Sequence, residues 1–255
     1  VQSTSNRDQH RAAQSAARVD IKAALVAMRA LSRNPDDTAQ VFRIVESLSG
    51  PSAQKQFVRF AASEFGRRVL DTREELLPVL ADRARLEAMP AGSFAHAYLR
   101  FIDQEGLTAG GLVDASTEGA TGRWNADLIG AERDLFRHRM RDMHDLWHTL
   151  TGYRGDLIGE VSLLAFTLAQ TRTPGIALIV AVGFARAPSS ARRVILQGFT
   201  RGLKATWLPG QDWVSLLPLP LDTVRSVLQI DAPPPYTPVY SRELVSGAGA
   251  RSDAA

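Results

Sequence analysis

The sequence predicts an all-α protein, with one mostly helical domain over residues 1–230 and an extended or disordered tail over 231–255. Three observations carry this. Apolar residues recur at three- and four-residue spacing along most of the 255 residues, which is the spacing of one helix face. No stretch alternates apolar and polar residues with β-branched enrichment, as a half-buried strand does. Glycine, proline and Asx residues fall between the apolar runs, where helices start and stop.

Taken in order, the first helix lies between Arg11 and Leu31, where Val19, Ile21, Ala24, Leu25, Met28 and Leu31 form one greasy face. Asn34-Pro35-Asp36-Asp37 reads as a helix start. Asn34 is placed to cap, Pro35 to sit in the first turn, and the two Asp side chains to favour the positive helix end. Further helices are expected over 38–48, 52–70, 73–83, 90–104, 125–150, 157–170, 174–186, 189–206 and 220–229. Gly50-Pro51 and Ala187-Pro188 mark boundaries between them. Ile176 to Val182 is the one serious strand candidate, and Gly175 and Gly183, set among helical neighbours, make it a buried helix instead. Residues 106–124, rich in Gly, Thr and Ser, read as a loop. From Asp231 onward the proline-rich and then Gly/Ala/Ser-rich composition cannot pack a core.

Charge and composition narrow the function. Thirty Lys and Arg against 27 Asp and Glu leave a net charge of +3, spread along the chain. No basic stripe of the kind nucleic-acid binders carry is present, so no nucleic-acid partner is expected. A weak preference for anionic membrane surfaces or phosphate-bearing ligands is compatible with the surplus. There is no cysteine, which excludes disulfides, thiolate metal sites and thiol nucleophiles together. Any bound metal must take nitrogen and oxygen ligands. The polar start VQSTSNRDQH has no apolar segment of a signal peptide. The most apolar region, Val161 to Ala185, is interrupted by Gln170-Thr171-Arg172-Thr173-Pro174, short of the roughly 20 apolar residues of a spanning helix. Membrane contact is therefore expected to be peripheral.

The chemistry concentrates in RDMHDLWHTLTGYRGDLIGEVSLLAF. His144 and His148 are four apart, so a helix puts both imidazoles on one face, one turn from each other. Asp145 lies about 60° round the helix from His148, so its carboxylate can reach the same point. Gly152 and Gly155 break the helix, Asp156 caps the next, and Glu160 falls in that helix's first turn. Two helices joined by such a turn pack antiparallel, which lets Glu160 swing back towards the His pair. Two imidazoles and up to two carboxylates suit Zn, Fe, Mn or Co. An acid directly after the first His can also serve as a general base. A His pair at this spacing can equally be a satisfied polar patch, and it is Asp145 and Glu160 that favour a metal. His138 lies well round the helix from the pair, while His10 and His96 have no evident partners.

These residues resemble the coenzyme Q biosynthesis protein 4 family, whose signature is His-Asp-x-x-His, eleven residues, then Glu. Here it stands as His144-Asp145-Leu146-Trp147-His148, eleven residues, then Glu160 preceded by Gly159. The resemblance covers roughly 20 to 230. It includes Asn34 to Thr38 with Val41-Phe42, Met89-Pro90 through Phe101, Gly198, Gly202, Lys204, Asp212-Trp213, Pro218-Leu219 and Arg225 to Ile230. Ser93-Phe94-Ala95-His96 departs from the usual Thr-Leu-Gly-Arg, Val214 stands where an acid is common, and Gln229 where Gly is usual.

The resemblance implies an all-helical fold with a hydrophobic tunnel for a polyprenyl chain and a divalent metal, usually zinc, on His144, Asp145, His148 and Glu160. It implies oxidative decarboxylation of a polyprenylated hydroxybenzoate, carboxylate to hydroxyl, with the same four residues as the catalytic set. It also implies peripheral attachment to the inner respiratory membrane from the cytoplasmic side, among other quinone-biosynthesis enzymes; a homodimer is compatible. Helices 157–170 and 174–186 can wall the tunnel or be ordinary core. The competing reading is a non-catalytic lipid-binding scaffold with a structural metal. A metallohydrolase is weaker, because no polar cleft or separate general base is evident.

Overall fold

The computed structural model describes residues 19–121, 130–232 and 234–241. Its first half runs α1 (Ile21–Arg33), α2 (Thr38–Leu48), α3 (Gly50–Ala62), α4 (Glu64–Thr72), α5 (Leu77–Ala81), α6 (Arg83–Glu87), α7 (Phe94–Glu105) and α8 (Gly111–Glu118). Then follow α9 (Ala131–Asp142), α10 (His144–Thr151), α11 (Leu157–Thr171), α12 (Pro174–Arg186), α13 (Ser189–Lys204), α14 (Trp213–Leu216) and α15 (Leu221–Val227). Among the described residues the fold is all-α. Among the described residues the only β-bridge is an isolated antiparallel one between Ser93 and Pro220.

Several helices differ from their expected bounds, each for a local reason. The stretch 52–70 is two helices, because Ser63 leaves the helical region and accepts a hydrogen bond from Gly66 N as the cap of α4. Arg73 ends α4 in the left-handed conformation at φ 55°, so 73–83 begins with a turn before the short α5 and α6. Asn34 closes α1 rather than opening α2. Its side chain accepts from Asp36 N, and Asp37 takes the cap position. The expected loop 106–124 contains α8. The expected helix 125–150 is α9 and α10 meeting at Met143, and its first residues lie outside those described. Ile176 to Val182 lies inside α12, as a helix. Gln229 has φ 57°, a left-handed backbone that costs a non-glycine residue strain and suits the glycine the family resemblance places there.

The main core collects Phe94 and Tyr98 of α7, Leu146, Trp147 and Leu150 of α10, and Leu163 and Phe166 of α11. Trp213, Leu217, Val224 and Leu228 close it from the C-terminal side. A smaller cluster joins Ala27, Met28 and Leu31 of α1 to Ile44 of α2 and Ile179 of α12. A third packs Phe60, Val69 and Leu70 against Phe136, with the Phe60 and Phe136 rings 4.8 Å apart.

Helix α13 crosses α11 at backbone distance. A Cβ on Gly198 would stand 2.3 Å from Ser162 O, and one on Gly202 would stand 2.5 Å from Phe166 O. Glycine four residues apart is therefore what lets the two helices touch. Buried Gln170 locks the end of this crossing. Its Nε2 donates to Gly202 O at 2.6 Å, and its Oε1 accepts from Leu208 N at 2.8 Å.

Candidate metal centre

Two chain reversals place the donors. Gly152 ends α10 at φ 74°, a backbone that favours glycine, and the chain turns through 153–156. Asp156, 1% exposed, then caps α11 by accepting from Ile158 N. Glu160 follows in the first turn of α11. One ligand atom each from His144, His148 and Glu160 lies within 4.8 Å of the other two. His148 Nε2 is 3.3 Å from Glu160 Oε1, and His144 Nε2 is 3.9 Å from Glu160 Oε2.

The far nitrogen of each imidazole is already engaged. His148 Nδ1 meets the Tyr153 carbonyl at 2.9 Å, and His144 Nδ1 meets Asp145 Oδ1 at 3.2 Å. A proton on each Nδ1 leaves Nε2 as the atom of each ring that faces Glu160 and can give a lone pair to a metal. Ligand imidazoles are oriented in this way, by a carbonyl or carboxylate behind them. Asp145, buried at 7% exposure, thus stands behind His144 and is not among the three converging donors. Phe101 stacks on His148 with ring centroids 5.1 Å apart and planes at 15°. The His148 side chain is 1% exposed, whereas those of His144 and Glu160 are 29% and 41% exposed. One flank of the centre is sealed and the other open.

The donors fit a divalent ion. Nitrogen and oxygen ligands at about 2.0–2.2 Å from zinc and at tetrahedral angles stand roughly 3.3–3.6 Å apart. His148 and Glu160 already stand so, and small rotations of two partly exposed side chains bring in His144. Among the other histidines, His138 contacts Arg137 and Asp134, and His96 Nε2 meets Glu87 O at 3.1 Å, a partner the sequence did not reveal. His10 lies outside the described residues.

Burial disfavours a charged His148, but Glu160 beside it outweighs that and pushes its pKa up to about 9. Burial likewise disfavours a charged Glu160, and the His148 and His144 rings outweigh it and hold the carboxyl below its usual range. In the metal-free chain the His148 contribution to stability is fully present below the ordinary imidazole value of 6.5 and is lost as pH rises through about 9. The Glu160 contribution runs the other way, present above the ordinary carboxyl value and lost as pH falls through its lowered one. Thermal denaturation in excess chelator is expected to show a loss of stability between about pH 6.5 and pH 9 that His148→Gln lacks. An identical profile over that range in both proteins overturns the pairing.

Sequence reasoning brought His144, His148 and Glu160 to one point and gave Asp156 as the cap. It missed the Tyr153 carbonyl and the Phe101 ring, since neither a backbone oxygen nor a partner from another helix has a signature in spacing.

Comparison with known proteins agrees with the signature. The family described as "Coenzyme Q (ubiquinone) biosynthesis protein Coq4" matches residues 10–234. The mitochondrial ubiquinone biosynthesis protein COQ4 of Pyricularia oryzae is 28% identical over 187 residues, 71% of this chain and 58% of that protein. The mitochondrial COQ4 homolog of Danio rerio is 28% identical over 176 residues, 66% of this chain and 60% of that one. The chain thus spans less than two thirds of the length of these relatives. A Nostoc punctiforme protein crystallised as a candidate ubiquinone biosynthesis protein shares the fold. Its TM-score is 0.58 at 20% identity, covering 84% of this chain and 100% of that one. The match over residues 10–234 places the chain in the Coq4 family of ubiquinone biosynthesis proteins.

Proposed function

We propose that the chain holds a divalent metal on His144, His148 and Glu160 and acts on a polyprenylated hydroxybenzoate, replacing the ring carboxylate with a hydroxyl. The observation that carries this reading is the three-donor cluster, sealed behind His148 and open beside His144 and Glu160. A purely structural site is closed, whereas a catalytic one keeps an accessible position. Zinc suits the donors, and iron, manganese and cobalt share them. A bound divalent ion supplies Lewis acidity towards the ring carboxylate and its phenolate.

The chain's own residues supply the rest. His144 and Glu160 present the open flank to substrate, and Phe101 and the Tyr153 carbonyl hold His148 still. Asp145, against His144 Nδ1, is placed to hold or take a proton. With dioxygen as oxidant, two substrate acids and one dioxygen yield two phenols and two carbon dioxides. Zinc exchanges no electrons, so with zinc the electron-rich ring itself is oxidised.

The isoprenoid tail is assigned to the apolar surface of α11 and α12, where Val180 and Phe184 are only half-buried. Contact with an anionic lipid surface is assigned to the outer face of α13. Leu196 and Leu203 are 55% and 59% exposed there, beside exposed Arg192, Arg193 and Lys204. Among the described residues no helix is long and apolar enough to cross a membrane. Other enzymes of quinone biosynthesis are the expected partners on that surface.

The test is metal analysis of the purified chain, mass spectrometry of co-purified lipid, and quinone synthesis in cells relying on Glu160→Ala or His148→Ala. A metal, a prenylated aromatic acid and lost synthesis are expected. Variants without metal that sustain full synthesis overturn catalysis in favour of a scaffold.

A further inference from the structure

The turn that joins the donors is held from outside by a distant part of the chain. Residues 234–240 run without helix beside it, and Tyr236 and Val239 both bond to it. Tyr236 Oη donates to Asp156 Oδ2 at 2.7 Å and accepts from Arg154 N at 2.9 Å. Val239 N donates to Asp156 Oδ1 at 2.9 Å, and Val239 O accepts from Leu157 N at 2.9 Å. The Tyr236 ring also packs towards Tyr153, centroids 6.3 Å apart.

Each of these bonds falls between the donors. Tyr153 carries the carbonyl behind His148, Asp156 caps the helix that bears Glu160, and Glu160 N donates to Asp156 O at 2.8 Å. A Cβ on Gly159 would stand 2.7 Å from Tyr236 Oη. The glycine that precedes Glu160 therefore leaves room for this phenol. Asp156 would otherwise be a buried carboxylate with one partner, and burying a charge without hydrogen bonds is costly. With Tyr236 and Val239 it has three.

We propose that Tyr236 is a positioning residue of the metal centre: with Val239 it clamps the 153–157 turn and so sets the separation of His148 from Glu160. The inference rests on the metal reading above. The proline-rich segment, expected from composition to stay clear of the core, is on this view part of the site's frame. Phenylalanine at 236 keeps the ring contact and removes both the donor and the acceptor, so Tyr236→Phe isolates the clamp.

Two measurements on the full chain test it. The first is hydrogen exchange of the 152–160 peptide without metal, expected to run at least tenfold faster in Tyr236→Phe. The second is the affinity for cobalt(II) alone, read from its visible spectrum and expected to fall about tenfold, the lower end for loss of an outer-shell partner. Ser241→Ala, which removes a bond to Asp36 at the far end of the segment, should change neither. Faster exchange with unchanged cobalt affinity overturns the proposal and leaves the clamp a structural detail. Unchanged exchange overturns it as well. A wild-type chain that takes up no cobalt sinks the metal reading instead, and that result comes before any substitution is made.

Discussion

Glu160→Gln is expected to leave the purified chain nearly free of metal, with affinity reduced by more than the roughly 10- to 100-fold that an outer-shell loss costs. The amide keeps the size of the carboxylate but loses its charge and half of its oxygen donors. Glu160 faces both Nε2 atoms, at 3.3 and 3.9 Å, so no other described side chain replaces it. The position is partly exposed, and the fold should survive, which circular dichroism checks. His148→Gln should be as severe. Asp145→Asn, which weakens only the partner behind His144, should fall within the outer-shell range. Competition against a chromophoric chelator measures all three. If Asp145→Asn proves as damaging as Glu160→Gln, Asp145 is itself a ligand and the three-donor assignment fails.

Gly202→Val is expected to cost about 3 kcal/mol or more, the upper range for overpacking a close contact. The Cβ would press against Phe166 O and Cα, backbone atoms that cannot move without shifting α11 itself. For a domain of this size the loss corresponds to a melting temperature roughly 6–12 °C lower. Gly198→Val should act alike through Ser162. Leu203→Ala, one residue along but 59% exposed, should stay within about 0.5 kcal/mol. Urea denaturation of the three variants decides the matter. A Gly202→Val protein as stable as wild type would mean that α13 does not lie on α11 at backbone distance.

What was legible in the sequence depended on distance along the chain. His144 and His148 share one helix, so their spacing alone put them side by side. Glu160 was reachable because Gly152 and Gly155 announce a reversal between two helices. The helical class followed from periodicity, since each amphipathic stripe is a local record of which face is buried. The breaks at Ser63 and Arg73 were hidden, because a serine cap and a left-handed arginine leave the apolar rhythm running through them. Helix α8 was hidden by a composition suited to turns. Tyr236 was hidden most completely, since its partner lies 80 residues earlier and nothing in a proline-rich stretch advertises a buried carboxylate elsewhere. Asp145 was expected to reach the same point as the His pair, and its carboxylate meets His144 Nδ1 from behind. Angular position on a helix says which way a carboxylate points and not which atom it reaches first.

The unequal exposure of the three donors has a kinetic consequence. Were an ion held on the three, chelators, water and competing anions would approach it from the exposed side, so Glu160 and His144 would be the first to be displaced during exchange. His148, walled in by Phe101 and tethered through Tyr153, would give way last. Release should therefore be a staged process whose slow step belongs to the histidine no reagent can touch.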